Sequence, residues 1–230
     1  MSPQEEKKPF RILAPVFPGF NILDLTGPAE VFGNSRLDPS TRSIQIASST
    51  PTTTSHEGIT VNRDITYEEL EKTGLEGNDM LLVPGAAPQF VLEAIEKDTG
   101  LMDVVRGFAV LEGEGKWLFS VCTGALFLGA AGLLAGRTAT THWASLDMLK
   151  GICEKAGGTE VVRKRFVDGG RMEGGVRVVN AGGVSCGIDA ALWIVKERMG
   201  VEVATTIAGR MDYEWKFEGV EMEVTEGYVV

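Results

Sequence analysis

The chain has 230 residues, 43% hydrophobic and 23% charged, a balance that allows one large sheet-centred core and excludes a disordered polypeptide. With 22 Lys and Arg against 32 Asp and Glu the net charge is −10, which repels nucleic acid and anionic membrane surfaces unless a basic face is segregated. Three widely spaced cysteines and two histidines, without a CxxC pair, speak against a disulfide framework and against a Cys/His metal site. No run reaches the ~18 apolar residues of a membrane span, and residues 1–9 are polar and charged, without the apolar centre of a signal peptide. These readings place the protein in a reducing, cytoplasmic setting with neither nucleic acid nor membrane as a partner.

In chain order, Arg11 to Phe17 is an apolar run closed by Pro18-Gly19, a buried strand with a turn after it. Phe20 to Gly33 follows as a helix that Asp24 or Thr26 can cap, with Pro28 in its first turn. Ser43 to Ser49 alternates like a second strand. Thr50 to Ser55 reads as a polar loop, with His56 solvated in it, followed by two short strands at Ile59–Asn62 and Ile65–Tyr67. After a polar helix, Glu68 to Thr73, the run Asp79 to Val83 ends on Pro84-Gly85. Pro88 then opens a helix to Lys97, and another spans Gly100 to Leu111.

Leu118-Phe119-Ser120-Val121 turns at Cys122 into a small-residue helix that ends near Gly136. A strand breaking this sharply into a helix presents its turn residue above the sheet, a nucleophile elbow, where the helix terminus favours a thiolate. The competing reading is a buried cysteine acting as a small hydrophobe. Arg137 to His142 is β-branched, and Trp143 to Ala156 is an amphipathic helix with Trp143, Leu146, Leu149, Ile152 and Cys153 on one face. Glu160–Val167, which holds the basic run Arg163-Lys164-Arg165, pairs with Val176–Asn180 across a glycine-rich turn. Ala181-Gly182-Gly183-Val184 leads into the helix Ile188 to Met199, Val201 to Met211 is a last helix, and Tyr213, Trp215 and Phe217 alternate with acids in the tail. The alternation of strands and helices predicts an α/β fold with a mainly parallel sheet covered by helices on both faces. Ligands of such sheets bind beyond the carboxyl ends of the strands, where the loop before Asp24, the Gly85-Ala86 turn, the Cys122 elbow and the Gly182-Gly183 turn all end; if they converge, Cys122 meets a carboxylate and a ring of backbone N–H groups.

The strings Leu23-Asp24-Leu25-Thr26-Gly27-Pro28, Val83-Pro84-Gly85, Val121-Cys122-Thr123-Gly124, Ala130 to Arg137, Ala139-Thr140-Thr141-His142-Trp143 and Ala181-Gly182-Gly183 through Gly187-Ile188-Asp189 together resemble the DJ-1/PfpI superfamily, more narrowly its isocyanide (isonitrile) hydratase branch. The resemblance implies a flavodoxin-like three-layer sandwich, a homodimer and no cofactor. The expected layout is residues 1–9 as a flexible N-terminal segment, 10–212 as one domain and 213–230 as an acidic tail. It implies Cys122 as nucleophile, Asp24 as the acid beside it and Thr123 next to the sulfur. Gly85, Ala86, Gly183, Val184 and His142 would then line the substrate, with no metal.

The implied reaction adds the thiolate to the terminal carbon of an isocyanide and hydrolyses the thioimidate to an N-substituted formamide. A carboxyl close to that anion has a raised pKa and titrates with it as a pair. Outside the resemblance, Asp24 reads equally as a helix cap and His142 as a structural residue. Superfamily peptidases carry His after the cysteine, a position held here by Thr123, so a Cys-His mechanism loses its base. Ala86 stands where a second glycine is frequent, its N–H available to an oxyanion, and Cys186 is a second, structural thiol. Two other functions share the same residues: cofactor-free glyoxalase-type chemistry on methylglyoxal, and a non-enzymatic thiol redox sensor or ligand-binding domain of the kind that precedes DNA-binding modules in AraC-type regulators.

Overall fold

The computed structural model describes residues 10–34 and 44–215. The chain opens with β1 (Ile12–Pro15), α1 (Ile22–Asn34), β2 (Ile44–Ala47), the short β3 (Thr52–Thr54) and β4 (Thr60–Asn62), and α2 (Tyr67–Thr73). It continues through β5 (Met80–Val83), α3 (Pro88–Lys97), α4 (Thr99–Ala109) and β6 (Trp117–Val121) to a single 3₁₀ turn at Cys122–Gly124 and α5 (Ala125–Ala130). The last third holds β7 (Thr138–Ala139), a 3₁₀ turn at Trp143–Ser145, α6 (Leu146–Glu154), β8 (Glu160–Val161), β9 (Phe166–Arg171), β10 (Arg177–Ala181), α7 (Cys186–Met199) and α8 (Val201–Arg210).

The central sheet has the order β2-β1-β5-β6-β10-β9. Five strands are parallel, with Leu13 beside Leu81, Leu82 beside Phe119 and Val179 beside Phe119, while β9 closes one edge antiparallel to β10. Every residue of β1, β5 and β6 is buried, which is why these strands read as unbroken apolar runs rather than alternating ones. Helices α1, α7 and α8 pack together as one group and α2 to α5 as another. The chain runs outward from β1 to β2 and then returns across β1 to β5, so the topology reverses between β1 and β5. Ligand crevices of open sheets form at such a reversal.

Several elements differ from the sequence reading, each for a local reason. Helix α1 is capped by Asn21, whose Oδ1 accepts from the N–H groups of Leu23 and Asp24 at 3.1 and 3.3 Å. Asp24 and Thr26 therefore lie inside the helix, Thr26 donating back to the Ile22 carbonyl, and Pro28 falls beyond the first turn. Thr52–Thr54 is strand rather than loop because it pairs with Thr60–Asn62 and a Thr54–Thr60 hydroxyl pair spans the hairpin at 2.9 Å. Ile65 makes only an isolated bridge to Ala47, since Thr66 is taken as the cap of α2 in a reciprocal pair with Glu69. His56 is exposed in the hairpin turn.

The β-branched run after Gly136 yields only β7, which pairs with β8 in a separate ribbon. Its last two threonines bond elsewhere, Thr140 to the Lys164 carbonyl and Thr141 to that of Cys122. Trp143 is 38% exposed, unlike Leu149 and Cys153 on the same stretch. The expected strand Glu160–Val167 is split, and Arg163-Lys164-Arg165 falls in the break. Arg165 turns inward to the buried carboxylate of Asp189, and Arg163 lies over the Trp143 ring at 5.9 Å. Trp215 donates its indole N–H to the Asp189 carbonyl at 3.2 Å; Phe217 lies outside the described residues.

Candidate active site

Three chain segments meet above β1, β5 and β6. The turn after β1 is tied to the turn after β5 by the Phe20–Ala86 bridge and by the Asn21 N–H, which donates to the Gly85 carbonyl at 2.8 Å. This places Asp24, one turn into α1, against the N–H of Gly85, which donates to Oδ2 at 2.9 Å. The Asp24 side chain is wholly buried, and its Oδ1 has no hydrogen-bond partner among the described residues. Among the described residues no cation offsets it. Burial pushes its pKa up to about 7, against the lowering by the Gly85 N–H and by Cys122, and the Glu57 carboxylate beside the α1 terminus raises it further.

Cys122 is the residue at which β6 breaks. Its φ is +57°, a left-handed conformation that a non-glycine residue adopts under constraint. Two bonds hold it there: its N–H donates to the Gly182 carbonyl at 2.9 Å, and its own carbonyl accepts from the Thr141 hydroxyl at 2.8 Å. The sulfur is met by the N–H groups of Thr123 and Val184, and Val184 is itself left-handed at φ +39°. Thr123 faces the Gly85-Ala86 turn, its hydroxyl accepting from the Ala86 N–H at 2.8 Å and donating to the Ala86 carbonyl at 2.6 Å. A Cβ on Gly85 would stand 2.5 Å from the Thr123 hydroxyl and 2.6 Å from its nitrogen, so only glycine fits.

The thiol does not behave as the helix start alone suggests. Burial, with the Asp24 carboxyl second, pushes Cys122 up to about 12, more than the Thr123 and Val184 amides lower it. An unsolvated thiolate beside a carboxylate is opposed twice over, and a single turn of helix does not offset that. Cys122 and Asp24 accordingly titrate as a pair that holds two protons below about 7 and one above it.

Of the residues assigned to substrate from the sequence, Gly85 and Ala86 have no N–H to spare, one being given to Asp24 and the other to Thr123. Their role is to fix the acid and the residue after the cysteine. Gly183 lies directly under His142, where a Cβ would come within 2.6 Å of the ring. The Nδ1 of His142 accepts from the Ala144 N–H at 3.3 Å, which leaves the proton on Nε2, and burial lowers its pKa. The roles of Thr141, Glu57 and the Gly182 carbonyl escaped the sequence reading, although Thr141 stands in the string around His142 and Gly182 in the glycine-marked turn before α7; Glu57 carried no signal. All three cysteines are free and buried, and among the described residues no cluster of side chains could hold a metal ion. No helix among the described residues is long and apolar enough to cross a membrane.

Known proteins share this architecture. The pattern of the DJ-1/PfpI family matches residues 10–196. The chain is 32% identical over 198 residues to an isonitrile hydratase of Pseudomonas putida, covering 86% of this chain and 76% of that one. It is 27% identical over 197 residues to the HTH-type transcriptional regulator CdhR of Pseudomonas aeruginosa, covering 84% of this chain and 52% of the regulator. The crystal structure of a THiJ/PfpI family protein from Pseudomonas syringae matches with a TM-score of 0.71 at 29% identity, over 91% of this chain and 78% of that one. The family pattern runs from β1 into α7 and takes in Asp24, Gly85, Cys122 and Val184; the chain belongs to the DJ-1/PfpI family.

Proposed function

We propose that the protein hydrates isocyanides to N-substituted formamides, with Cys122 as nucleophile and Asp24 as its proton partner. The observation that carries this reading is the Asp24 carboxyl: buried, uncompensated by any cation among the described residues, held by the Gly85 N–H beside the sulfur and poised near neutrality. A group with such a pKa gives and takes a proton at little cost. Identity with an isonitrile hydratase over most of both chains supports the same substrate class.

In the proposed reaction Asp24 takes the Cys122 proton as sulfur bonds to the terminal carbon of the isocyanide. The same proton then passes to that carbon, giving a thioformimidate, R–N=CH–S–Cys. The Thr123 and Val184 amides stabilise negative charge on sulfur before attack and again on its departure. Water, deprotonated by Asp24, adds to the C=N carbon. The nitrogen gains a proton, the C–S bond breaks, and the formamide leaves as Cys122 recovers its proton. His142, neutral and protonated on Nε2, is assigned to the substrate nitrogen.

The test is formamide production by the purified protein and its Cys122→Ala variant from several alkyl and aryl isocyanides, with methylglyoxal assayed in parallel. Turnover by the native protein alone supports the reading. Lactate from methylglyoxal with no isocyanide consumed overturns it in favour of glyoxalase chemistry. Inertness toward both, with selective oxidation of Cys122 by peroxide, overturns it in favour of a thiol sensor.

A further inference from the structure

On the other side of the molecule's chemistry, a groove of about 1120 Å³ opens between α2, α3 and α4, and neither Cys122, Asp24, Thr123 nor His142 lines it. Its inner wall is apolar, with Leu70, Ala94, Val104 and Phe90. Tyr67 forms the floor and is only 8% exposed. The ring fits because position 100 is glycine; a Cβ there would come within 2.6 Å of it. The Tyr67 hydroxyl is buried with no hydrogen-bond partner among the described residues. A buried polar group left in that state marks a missing partner. Burial, with Asp98 nearby, keeps it protonated and able to donate.

The rim has the opposite character. Glu68, Glu71 and Glu76 line the groove, are exposed, and form no ion pair among the described residues. Lys97, the one cation lining the groove among the described residues, is held by Glu93 at 2.8 Å, and Asp103 is held by Arg106 at 3.6 Å. Unpaired acids around an apolar cleft raise the local concentration of cations, and an apolar wall with a few convergent polar groups is the usual make-up of a small-molecule site.

We propose that this groove binds an amphiphilic amine: an ammonium among Glu68, Glu71 and Glu76, an apolar body along Leu70 and Val104, and a polar far end that pairs with Tyr67. A neutral apolar ligand leaves the acids uncompensated, and a plain alkylamine leaves the hydroxyl orphaned. The site is independent of the thiol chemistry, so it stands or falls without it.

The test uses the full chain at low ionic strength, titrated with 8-amino-1-octanol, octylamine and 1-octanol and followed by amide NMR shifts. 8-Amino-1-octanol is expected to move amides of α2, α3 and α4 and leave those around Cys122 in place. Octylamine should bind about threefold more weakly, the scale of one neutral hydrogen bond, and 1-octanol about tenfold more weakly. In Tyr67→Phe the amino alcohol and octylamine become equal. In the triple variant Glu68→Gln, Glu71→Gln, Glu76→Gln the amino alcohol and octanol become equal. Equal affinity of the three probes for the native chain, shifts centred on Cys122, or no shift at millimolar probe each overturns the proposal, whatever the variants do.

Discussion

Two neighbouring strands of the sheet, β6 and β10, each end in a glycine-marked turn, a left-handed residue and a cysteine, yet only one turn has the makings of a reactive centre. At the end of β6 the cysteine itself is the left-handed residue, and its acidic neighbour Asp24 meets the Gly85 N–H and the thiol but, among the described residues, no cation. Beyond β10 the left-handed residue is Val184, Cys186 has already entered α7, and the acid within reach, Asp189, is paired with the Arg165 guanidinium. Both thiols are raised by burial, Cys186 to about 11, with Arg165 opposing. A cysteine at a helix start is therefore not the distinguishing feature. What separates the two sites is an acid left without a cation.

The largest effect that would break this contrast is on the cysteines themselves. Cys122→Ala is expected to lower formamide production by roughly 10⁴-fold or more, while Cys186→Ala leaves it unchanged within assay error; comparable losses in both would erase the distinction. Asp24→Asn should cost about 10²–10⁴-fold in kcat/KM, the range of a lost general acid–base. The same variant tests the buried charge. Asp24 ionises near 7 in the folded chain and near 3.8 when exposed, so between those values the unfolded chain holds fewer protons and stability falls as pH rises. Asp24→Asn should therefore be more stable than the native chain at about pH 8, on the order of a few kcal/mol, with the gap closing toward about pH 4. Urea unfolding at the two pH values measures it, and a gap independent of pH would mean that Asp24 is not held protonated.

On the other side of the comparison, Arg165→Met strands the Asp189 carboxylate, whose side chain is wholly buried. The expected cost is about 3–5 kcal/mol of stability, read from the urea midpoint, with turnover per folded molecule nearly intact. A loss of turnover without loss of stability would move Arg165 into the mechanism. The smallest expected effects are on pH dependence. The kcat/KM of the native chain for isocyanide should rise as pH passes about 7, where the Cys122–Asp24 pair gives up its first proton. Glu57→Gln removes a charge that raises Asp24 and should move that rise to lower pH by a fraction of a unit. A profile that stays fixed would show that Glu57, exposed in the β3–β4 turn, is screened from the acid.

The sheet was legible because β1, β5 and β6 are buried on both faces and carry no polar interruption apart from Ser120, whose hydroxyl is met internally by Asn180. The convergence of Asp24, Gly85 and Cys122 was legible for a topological reason, since all three follow parallel strands at the same end of the sheet. What the sequence concealed was how hydrogen bonds are allotted. Asn21 outcompetes Asp24 and Thr26 for the start of α1, and the Ala86 N–H goes to Thr123 rather than outward. The cap is a contest among neighbours two and three residues apart, whereas the Ala86 and Gly85 bonds join segments 37 and 61 residues apart in the chain, which no local pattern encodes. The thiol was misjudged for the same reason: a helix start is visible in sequence, whereas the desolvation that opposes it is set by the whole surrounding core.

Gly85 carries a last consequence. Its carbonyl accepts from Asn21 and its N–H donates to Asp24, so one residue, through its two flanking peptide units, touches both the anchor of the acid and the acid itself. An amide proton bonded to a carboxylate resonates well downfield of one bonded to the protonated acid. The Gly85 resonance is thus an intrinsic gauge of where the shared proton resides, readable residue by residue along a titration with no label beyond nitrogen-15.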